Sequence, residues 1–343
     1  MRSSPARSRR LTGVGGRALS LLGVAVLLLL VTPSPASAVY SGVNGRVAYT
    51  LYPNGPNNCT NTCSDIYTVA PNGTGTRRLT FDGQSSHPRW NFGGGLIAFQ
   101  RGTFNPPVGS QPGGYTGDVY VMNANGSGVH RVTNGAAAQQ PVWSPKSTEL
   151  MFIKVVSAGN TDLFRVPVGG GALTRVTFAA AHGCSADHPS WRGNLVVYHR
   201  VCANTDEIRL LDLNSQTNRI VLSVDRAAGS MSWPDFTRDL RIMFLACLQT
   251  DPVCHGTENV HVVNQDGSGL TVLTHSAGCC GEPRFLTPVP SPDGTTYLVA
   301  SGSGREGEPP FWELGGPGDP PNPLLHSGTA QALEPDWQRI SGH

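Results

Sequence analysis

One short unit returns six times along this chain of 343 residues, and that repeat constrains the fold more than any other feature. Each unit holds an apolar strand, a loop, an acidic residue that opens a second apolar strand, a Gly-rich turn and a short strand that ends in Leu-Thr or a related pair. A unit of this length cannot bury its own hydrophobic face, so neighbouring units must stack on each other. The sequence therefore predicts a repeat architecture, in which residues that break the period are the ones to inspect for function.

Tryptophan recurs once in most units. The series contains Trp90, Trp143, Trp191, Trp233 and Trp337. A sixth position is expected in the segment 287–292, which aligns with 140–145 and places Pro290 where the Trp would stand. Because large aromatic side chains mostly serve burial, we expect these tryptophans to pack between neighbouring sheets.

The strands inside the units are recognised by runs of β-branched and aromatic residues. After each Trp position an apolar run follows, and the next strand opens on Asp65, Asp118, Asp162, Glu207 or Asn259, with a degenerate equivalent at 311–314. Such repeated carboxylates are expected to accept backbone N–H groups and fix a loop, and the Thr or Ser that ends the last strand is expected to add a second side-chain contact. Turns such as Asn125-Gly126 favour tight hairpins.

Four antiparallel strands in about 40 to 50 residues is the period of a β-propeller blade. The sequence thus predicts an all-β, six-bladed β-propeller with four-stranded antiparallel blades. The last Trp strand, 333–340, has no unit after it, whereas the first unit lacks one. We expect the C-terminal strand to join blade one beside 46–50 and close the ring, which removes an exposed sheet edge.

Several motifs give the repeat a family resemblance. They are Pro-x-Trp-Ser-Pro at 141–145, Ser-Pro-Asp-Gly at 291–294, the Asp-x-Tyr-x-Val strands, the Asn-Gly-Ser-Gly turn at 125–128 and Pro-Asp-Trp-Gln at 335–338. Together they resemble the WD40-like repeats of the TolB-type propeller family over the whole of 39–343. TolB itself carries an α/β domain before its propeller, whereas here blade one is expected to follow the signal peptide directly, and the peptidase domain of related proteins is not expected either. The binding of a peptidoglycan-associated lipoprotein by TolB is therefore not carried over.

Residues 1–38 are interpreted as a bacterial-type signal peptide, followed by a single propeller domain over 39–343. Five arginines precede an apolar run at 18–31, and Ala36-Ser-Ala38 forms a cleavage site. The alternative, an uncleaved membrane anchor, would need a run of about 20 residues. The mature protein is predicted to be secreted, extracellular or associated with the cell envelope, with no stable membrane insertion after cleavage; export by the general or the twin-arginine route stays open.

The cysteines indicate disulfides. An even number of cysteines in an exported protein is read as disulfide pairs before thiol or metal chemistry, with zinc at the Cys59 and Cys63 spacing as the alternative. The eight cysteines are Cys59, Cys63, Cys184, Cys202, Cys247, Cys254, Cys279 and Cys280. The expected pairs are Cys59 with Cys63, Cys184 with Cys202, Cys247 with Cys254 and Cys279 with Cys280, and cross-pairing among the last four is the alternative.

One face of the predicted disc is more elaborate than the other. Because consecutive strands are antiparallel, the loops between second and third strands emerge on the same face as the connections between blades. All eight cysteines and the long insertion 101–117, with Phe104 and Tyr115, are expected on this face, which we call the cysteine face. Stapled loops lose less entropy on binding, so a preorganised binding surface is one interpretation. Loop stabilisation and protease resistance are the other.

The channel mouth on the cysteine face offers a second set of candidates. The residue before each inner strand is expected to point toward the axis, which gives His87, Gln140, His188, Ser230, Thr287 and Glu334. Imidazole, amide and carboxylate ligands together could bind a divalent metal, with His87 and His188 as the first candidates. The resemblance adds that certain propeller lyases for oligogalacturonate use a His/Gln metal site in their channel. No hydrolase motif such as Gly-x-Ser-x-Gly is present in the sequence, so no catalytic residue is assigned.

The function predicted from these features is that of a secreted, monomeric binding module without a cofactor, which presents the cysteine face to a protein or to a cell-envelope glycan. The net charge of +2 is too small to indicate nucleic acid as a partner. The alternative function is that of a metal-dependent polysaccharide lyase or hydrolase with its site at the channel, formed by His87, Gln140, His188 and Glu334.

Overall fold

The fold is built from six four-stranded antiparallel sheets. The computed structural model describes residues 42–52, 64–105, 114–157, 159–248, 258–274, 285–301, 311–314, 322–325 and 331–341. The predicted signal peptide lies outside them. Within the described residues no helix is long and apolar enough to cross a bilayer.

The strands follow the chain in order. Blade one contains β1 (Gly42–Tyr52), β2 (Asp65–Val69), β3 (Arg77–Arg78) and the last strand, β24 (Gln331–Ser341). Blade two contains β4 (Ser85–Trp90), β5 (Leu96–Asn105), β6 (Gly114–Asn123) and β7 (His130–Arg131). Blade three contains β8 (Ala138–Trp143), β9 (Glu149–Ser157), β10 (Asn160–Pro167) and β11 (Thr174–Arg175).

The second half repeats the arrangement. Blade four contains β12 (Ser185–Arg192), β13 (Leu195–Val201), β14 (Thr205–Asp212) and β15 (Asn218–Asp225), after a 3-10 turn at Ala180–His182. Blade five contains β16 (Gly229–Phe236), β17 (Ile242–Leu248), β18 (Asn259–Val263) and β19 (Thr271–Val272). The sixth sheet contains β20 (Phe285–Pro290), β21 (Tyr297–Ser301), β22 (Phe311–Leu314) and β23 (Asn322–Leu325).

The sheets follow one another around a closed ring. Each innermost strand contacts the innermost strand of the next sheet, and β20 contacts β24. The predicted pairing of the C-terminal strand with the first strand is present, with Val47 opposite Trp337. Side chains are described in all four strands of blades one to five but only in parts of β20 and β21 of the sixth sheet. The expectation of six equivalent blades is therefore corrected: five sheets form blades with side chains described in all four strands, and the sixth sheet departs from them in β20, where Pro290 replaces the aromatic residue.

Each innermost strand carries the same two-residue bulge. The first residue of the bulge has φ between 47° and 58° and precedes a proline in every sheet, at His87, Gln140, His188, Trp233, Thr287 and Glu334. The strand register shifts at the same place, for example between Ser86 and Arg89. A positive φ is uncommon outside glycine, so six such residues at equivalent positions show that the bulge is a regular part of the repeat. The bulge places six residues at equivalent positions of the axial ring, where the rings of His87, His188 and Trp233 from three blades meet.

The bulge corrects the predicted alignment of blade five. The sequence alignment predicts Trp233 among the packing tryptophans and Ser230 in the axial ring. Instead Trp233 has the positive φ of the ring position, and Phe236 is the fully buried packing residue. The unit X-Pro-X-aromatic explains this register, because Trp233-Pro234-Asp235-Phe236 matches His188-Pro189-Ser190-Trp191. Trp90, Trp143, Trp191 and Trp337 are buried as predicted.

The repeated aspartates act as structural staples, as the sequence predicted. Asp162 is fully buried and accepts hydrogen bonds from Thr177 Oγ1 at 2.8 Å and from the backbone N–H of Ala179 at 2.6 Å. Thr177 Oγ1 in turn accepts from the N–H of Leu163 at 2.9 Å. Arg175 pairs with the second carboxylate oxygen. The same arrangement recurs around Asp65 and Asp118, so these carboxylates fix the end of the outer strand in blades one to three.

Candidate binding surface

A disulfide joins two loops of the cysteine face in blade four. Cys184, in the connection that enters the blade, is bonded to Cys202, in the loop between the second and third strands, with a Cα–Cα distance of 4.3 Å. This confirms one predicted pair. Cys247 is also disulfide-bonded. Cys59, Cys63, Cys254, Cys279 and Cys280 lie outside the described residues, so the other predicted pairs stay predictions.

The long insertion of blade two is a strand extension as far as it is described. The sequence placed 101–117 in a loop, but β5 and β6 remain paired from Leu96 and Asn123 out to Asn105 and Gly114. Phe104 and Tyr115 are direct cross-strand partners in this ladder. Residues 106–113 lie outside the described chain. The expectation of an irregular loop is therefore corrected to a hairpin that extends the sheet on the cysteine face.

The axial ring brings His87 and Glu334 together, as the sequence placed them. Glu334 Oε1 lies 3.0 Å from His87 Nε2, and Glu334 Oε2 accepts a hydrogen bond from the backbone N–H of His87 at 2.8 Å. Thr50 Oγ1 donates to the same oxygen at 2.7 Å. The carboxylate of blade one thus caps the bulge of blade two.

Similar bonds continue around the ring. Gln140 Oε1 accepts from the backbone N–H of His188 at 2.9 Å, and Gln100 Oε1 accepts from the N–H of Gln140 at 2.9 Å. Gln140 therefore holds the next blade, a structural role that explains its polarity without a ligand. His188 Nδ1 and Thr287 Oγ1 are buried without a hydrogen-bond partner in the described part of the chain.

Trp233 lies against both candidate metal-binding imidazoles. Its ring centroid is 3.8 Å from that of His188 and 6.2 Å from that of His87. Burial lowers the pKa of His87 and lowers the pKa of His188 well below its ordinary value. Both imidazoles are therefore neutral at pH 7. Over the described residues, no group of three or more His, Cys, Asp or Glu side chains is arranged to hold a metal ion.

The opposite end of the axial channel is narrow and charged. Arg89 pairs with Asp336 at 3.6 Å, and Asp336 Oδ2 accepts from the backbone N–H of Trp90 at 2.6 Å. Burial raises the pKa of Asp336, although Arg89 and Arg339 act in the other direction. The cavity between these side chains has a volume of about 50 Å³. A space of this size holds water rather than an organic ligand.

In four blades, two stacked rings lie side by side on neighbouring strands of the sheet. The two rings are direct partners on the second and third strands, with centroids 5.5 to 6.3 Å apart. The pairs are Tyr49 with Tyr67, Phe99 with Tyr120, Phe152 with Phe164, and Phe244 with His261. In blade four the equivalent partners are Tyr198 and Arg209, so one ring is missing.

A groove opens where that ring is missing. It has a volume of about 370 Å³, within the range of small-ligand sites, and lies between blades three and four. Its walls include Phe178, His182, Tyr198, Arg200, Arg209 and Asn218. Arg200 and Arg209 both pair with Glu207, at 3.2 Å and 2.6 Å. The disulfide Cys184–Cys202 joins the loop that carries His182 to the loop that follows Arg200. It therefore fixes one end of the groove.

Comparison with solved structures identifies the fold of this architecture. No protein-family model matches the sequence, and no curated protein matches it either. Solved structures do match: TolB from Acinetobacter baumannii has a TM-score of 0.60 and 15% identity over 86% of this chain and 66% of its own. A TolB homologue from Agrobacterium tumefaciens gives 0.60 and 15% over 87% of this chain and 100% of its own. This chain has the TolB-like β-propeller fold.

A third structure extends the comparison of the TolB-like propeller. A propeller from a nidogen/laminin complex matches with a TM-score of 0.59 and 6% identity over 86% of this chain and 98% of its own. At such identities the likeness shows the fold alone. This chain spans 66% of the length of the first TolB, so the activity and partners of that protein are not transferred.

The sequence missed the groove of this TolB-like propeller, although a signal for it was present. Three third strands begin with an Asp, an apolar residue and an aromatic residue, and blade four reads Glu207-Ile208-Arg209 instead. An arginine in place of a recurrent aromatic is a break in the period. This break lies inside a strand, whereas the insertions and cysteines that depart from the repeat lie in loops.

Proposed function

We propose that this protein is a secreted or envelope-associated binding module that presents its cysteine face to a protein or glycan partner. One observation carries the proposal: the disulfide Cys184–Cys202 ties the connection between blades to the loop between the second and third strands on that face. Disulfides persist in oxidising compartments, which supports a location outside the cytoplasm. Fixing two loops in advance reduces the entropy that binding would cost.

Exposed aromatic side chains on the same face support the proposal. Phe81 and Phe178 are 74% and 60% exposed, and each directly follows the Thr that ends an outer strand. The guanidinium groups of Arg78 and Arg175 lie 4.7 Å from their rings. Aromatic and arginine side chains are enriched at protein interfaces. The nidogen propeller, which shares the fold, was solved in a complex with laminin, so the fold is compatible with protein partners.

The metal-dependent lyase or hydrolase stays a prediction with the ligands named above. No observation favours it over binding, because Glu334 already contacts His87 Nε2 and Trp233 lies against both imidazoles. A divalent metal would have to displace these contacts.

Photo-crosslinking tests the proposed function. A benzophenone amino acid replaces Phe81 or Phe178 on the cysteine face, or exposed Lys146 in the β8–β9 turn on the opposite face, in cells that secrete the protein. We expect a discrete adduct with an envelope protein or glycan from positions 81 and 178 and none from position 146. Adducts of equal yield from all three positions, or from position 146 alone, would contradict the proposal.

A further inference from the structure

We propose that the groove between blades three and four binds an acidic peptide segment of a partner protein, with one of its carboxylates on Arg200. The inference rests on the proposed function and names the partner chemistry of one site, a groove that begins at the cysteine face and extends along blade four to Gln216 and Asn218. Its starting point is the replacement of the recurrent second ring by Arg209 opposite Tyr198, which opens about 370 Å³ between the blades.

The charge of the groove favours an anion. The residues that line it include three basic side chains, those of His182, Arg200 and Arg209, and no carboxylate. Two guanidinium groups share the single carboxylate of Glu207, whose side chain is only 9% exposed. The cluster therefore keeps one net positive charge in a partly desolvated place. A second carboxylate, supplied by a partner, would balance it, which is the general basis of acidic-motif recognition by arginine clusters.

The hydrogen-bonding capacity of the two arginines singles out Arg200. Arg209 donates through Nε and Nη2 to Asn218 and through Nη1 to Glu207, so it is held in place. Within the described chain Arg200 makes one such contact, from Nη1 to Glu207. Its Nε–H and Nη2–H remain as a planar fork that matches the two oxygens of a carboxylate. Its side chain is 19% exposed, so a ligand can reach it.

Two exposed apolar side chains, one in the wall of the groove and one on the strand beside Arg209, favour a peptide. Phe178, at 60% exposure, forms one wall. Ile220, at 48% exposure, is the cross-strand partner of Arg209 on the outermost strand. An exposed ring and an exposed aliphatic side chain that flank a basic cluster suit a segment in which acidic and apolar residues alternate. A polyuronate would supply the carboxylate but gain little from Ile220.

Fluorescence anisotropy with defined probes tests the inference. The probe is a fluorescein-labelled peptide with alternating Glu and Val, compared with the same peptide carrying Gln for Glu. We expect the purified mature protein to bind the Glu peptide, with affinity that falls as salt is raised. Arg200→Gln should weaken binding at least about tenfold, the cost of losing one charge-assisted pair. Arg241→Gln removes an exposed arginine of blade five and should leave binding unchanged.

A second variant guards against a folding artefact. Ile220→Glu leaves the Glu207 ion pairs in place and should also weaken binding of the Glu peptide, whereas Ile220→Thr should not. Failure of the wild-type protein to bind the Glu peptide, or equal binding by Arg200→Gln, would overturn the inference. Binding of trigalacturonate in its place, sensitive to Arg200→Gln, would overturn it in favour of a glycan. If a partner crosslinked from position 81 is still captured by the Arg200→Gln variant, the proposed function is supported and the role of the groove is not.

Discussion

Tyr198 lies directly opposite Arg209 on strands β13 and β14, at the place where four other blades carry two stacked rings. The arginine does not fill the space of a second ring, because its guanidinium group turns to Asn218 and Glu207. One substitution in the repeat thus produces a groove and a positive charge together. This is why residues that break the period, even inside strands, are informative in a propeller.

Arg209→Tyr should restore the repeated ring pair and close the groove. The new ring would stack on Tyr198, as Tyr120 stacks on Phe99 in blade two at 5.8 Å. We expect binding of the Glu peptide to fall at least about tenfold, because both the space and one charge are lost. Anisotropy titration measures the effect, with Arg241→Tyr as the control. Unchanged binding by Arg209→Tyr would show that the groove is not where the peptide lies.

Asp162→Ala should destabilise the protein strongly. The fully buried carboxylate receives hydrogen bonds from Thr177 and Ala179 and pairs with Arg175, so its removal leaves several buried donors and one charge without a partner. The expected loss is about 3 to 5 kcal/mol in the free energy of unfolding. The matched control, Asp239→Ala, removes an exposed pair with Arg241 and a hydrogen bond from Thr237, whose hydroxyl keeps the Arg241 carbonyl as its acceptor, and should cost at most about 1 kcal/mol. Urea unfolding compares them, and equal losses would contradict the staple.

Replacement of both Cys184 and Cys202 by Ala should lower stability without changing the fold. The disulfide closes a loop with a sequence separation of 18 residues, and cross-links of this span contribute about 3 kcal/mol through the entropy of the unfolded chain. Urea unfolding of the double variant measures the loss. The same variant should bind the Glu peptide more weakly, since the end of the groove is no longer fixed. An unchanged unfolding midpoint would show that the disulfide does not stabilise the folded protein.

His188→Gln should reduce the loss of stability in mild acid. Burial holds the folded-state pKa of His188 well below 6.5, so as pH falls below about 6.5 the unfolded chain takes up a proton that the folded protein does not. Stability is present above that pH and is lost as the pH falls toward the folded-state pKa. Gln is the natural residue of the same ring position in blade three, at Gln140.

Unfolding of wild type and His188→Gln between pH 7 and pH 5 measures this difference directly. Burial raises the pKa of the Asp187 and Glu258 carboxyl groups, which gives their contribution to stability the opposite pH dependence. Because both proteins contain these two groups, their contribution cancels in the comparison. Parallel curves for the two proteins would mean that His188 titrates normally in the folded state.

Much of the propeller follows from local sequence patterns. The strands, the closing role of the C-terminal strand, the Asp staples and the Cys184–Cys202 pair were all readable, because each depends on short-range chemistry that repeats. The blade-five register was misread for a physical reason. Trp233 resembles the packing tryptophans in residue type, and only the proline after it reveals the bulge that turns it toward the axis.

The candidate site was less accessible from the sequence. The sequence placed His87 and Glu334 in the axial ring without predicting their contact, and the indole of Trp233 beside both imidazoles could not be inferred from a misaligned unit. The groove depends on a cross-strand partner, Arg209 for Tyr198, and on the absence of a ring in a three-dimensional packing position. Such packing is not encoded in loop length or cysteine position.

Hydrogen exchange with and without the Glu peptide tests most directly whether binding occurs on the cysteine face where the repeat is broken. The account predicts slower exchange in segments 176–184 and 198–209, which line the groove and carry the disulfide. Turns of the opposite face, such as 91–95 and 144–149, should exchange at unchanged rates. Protection confined to those turns, or to the axial segments 86–91 and 187–192, would contradict the account.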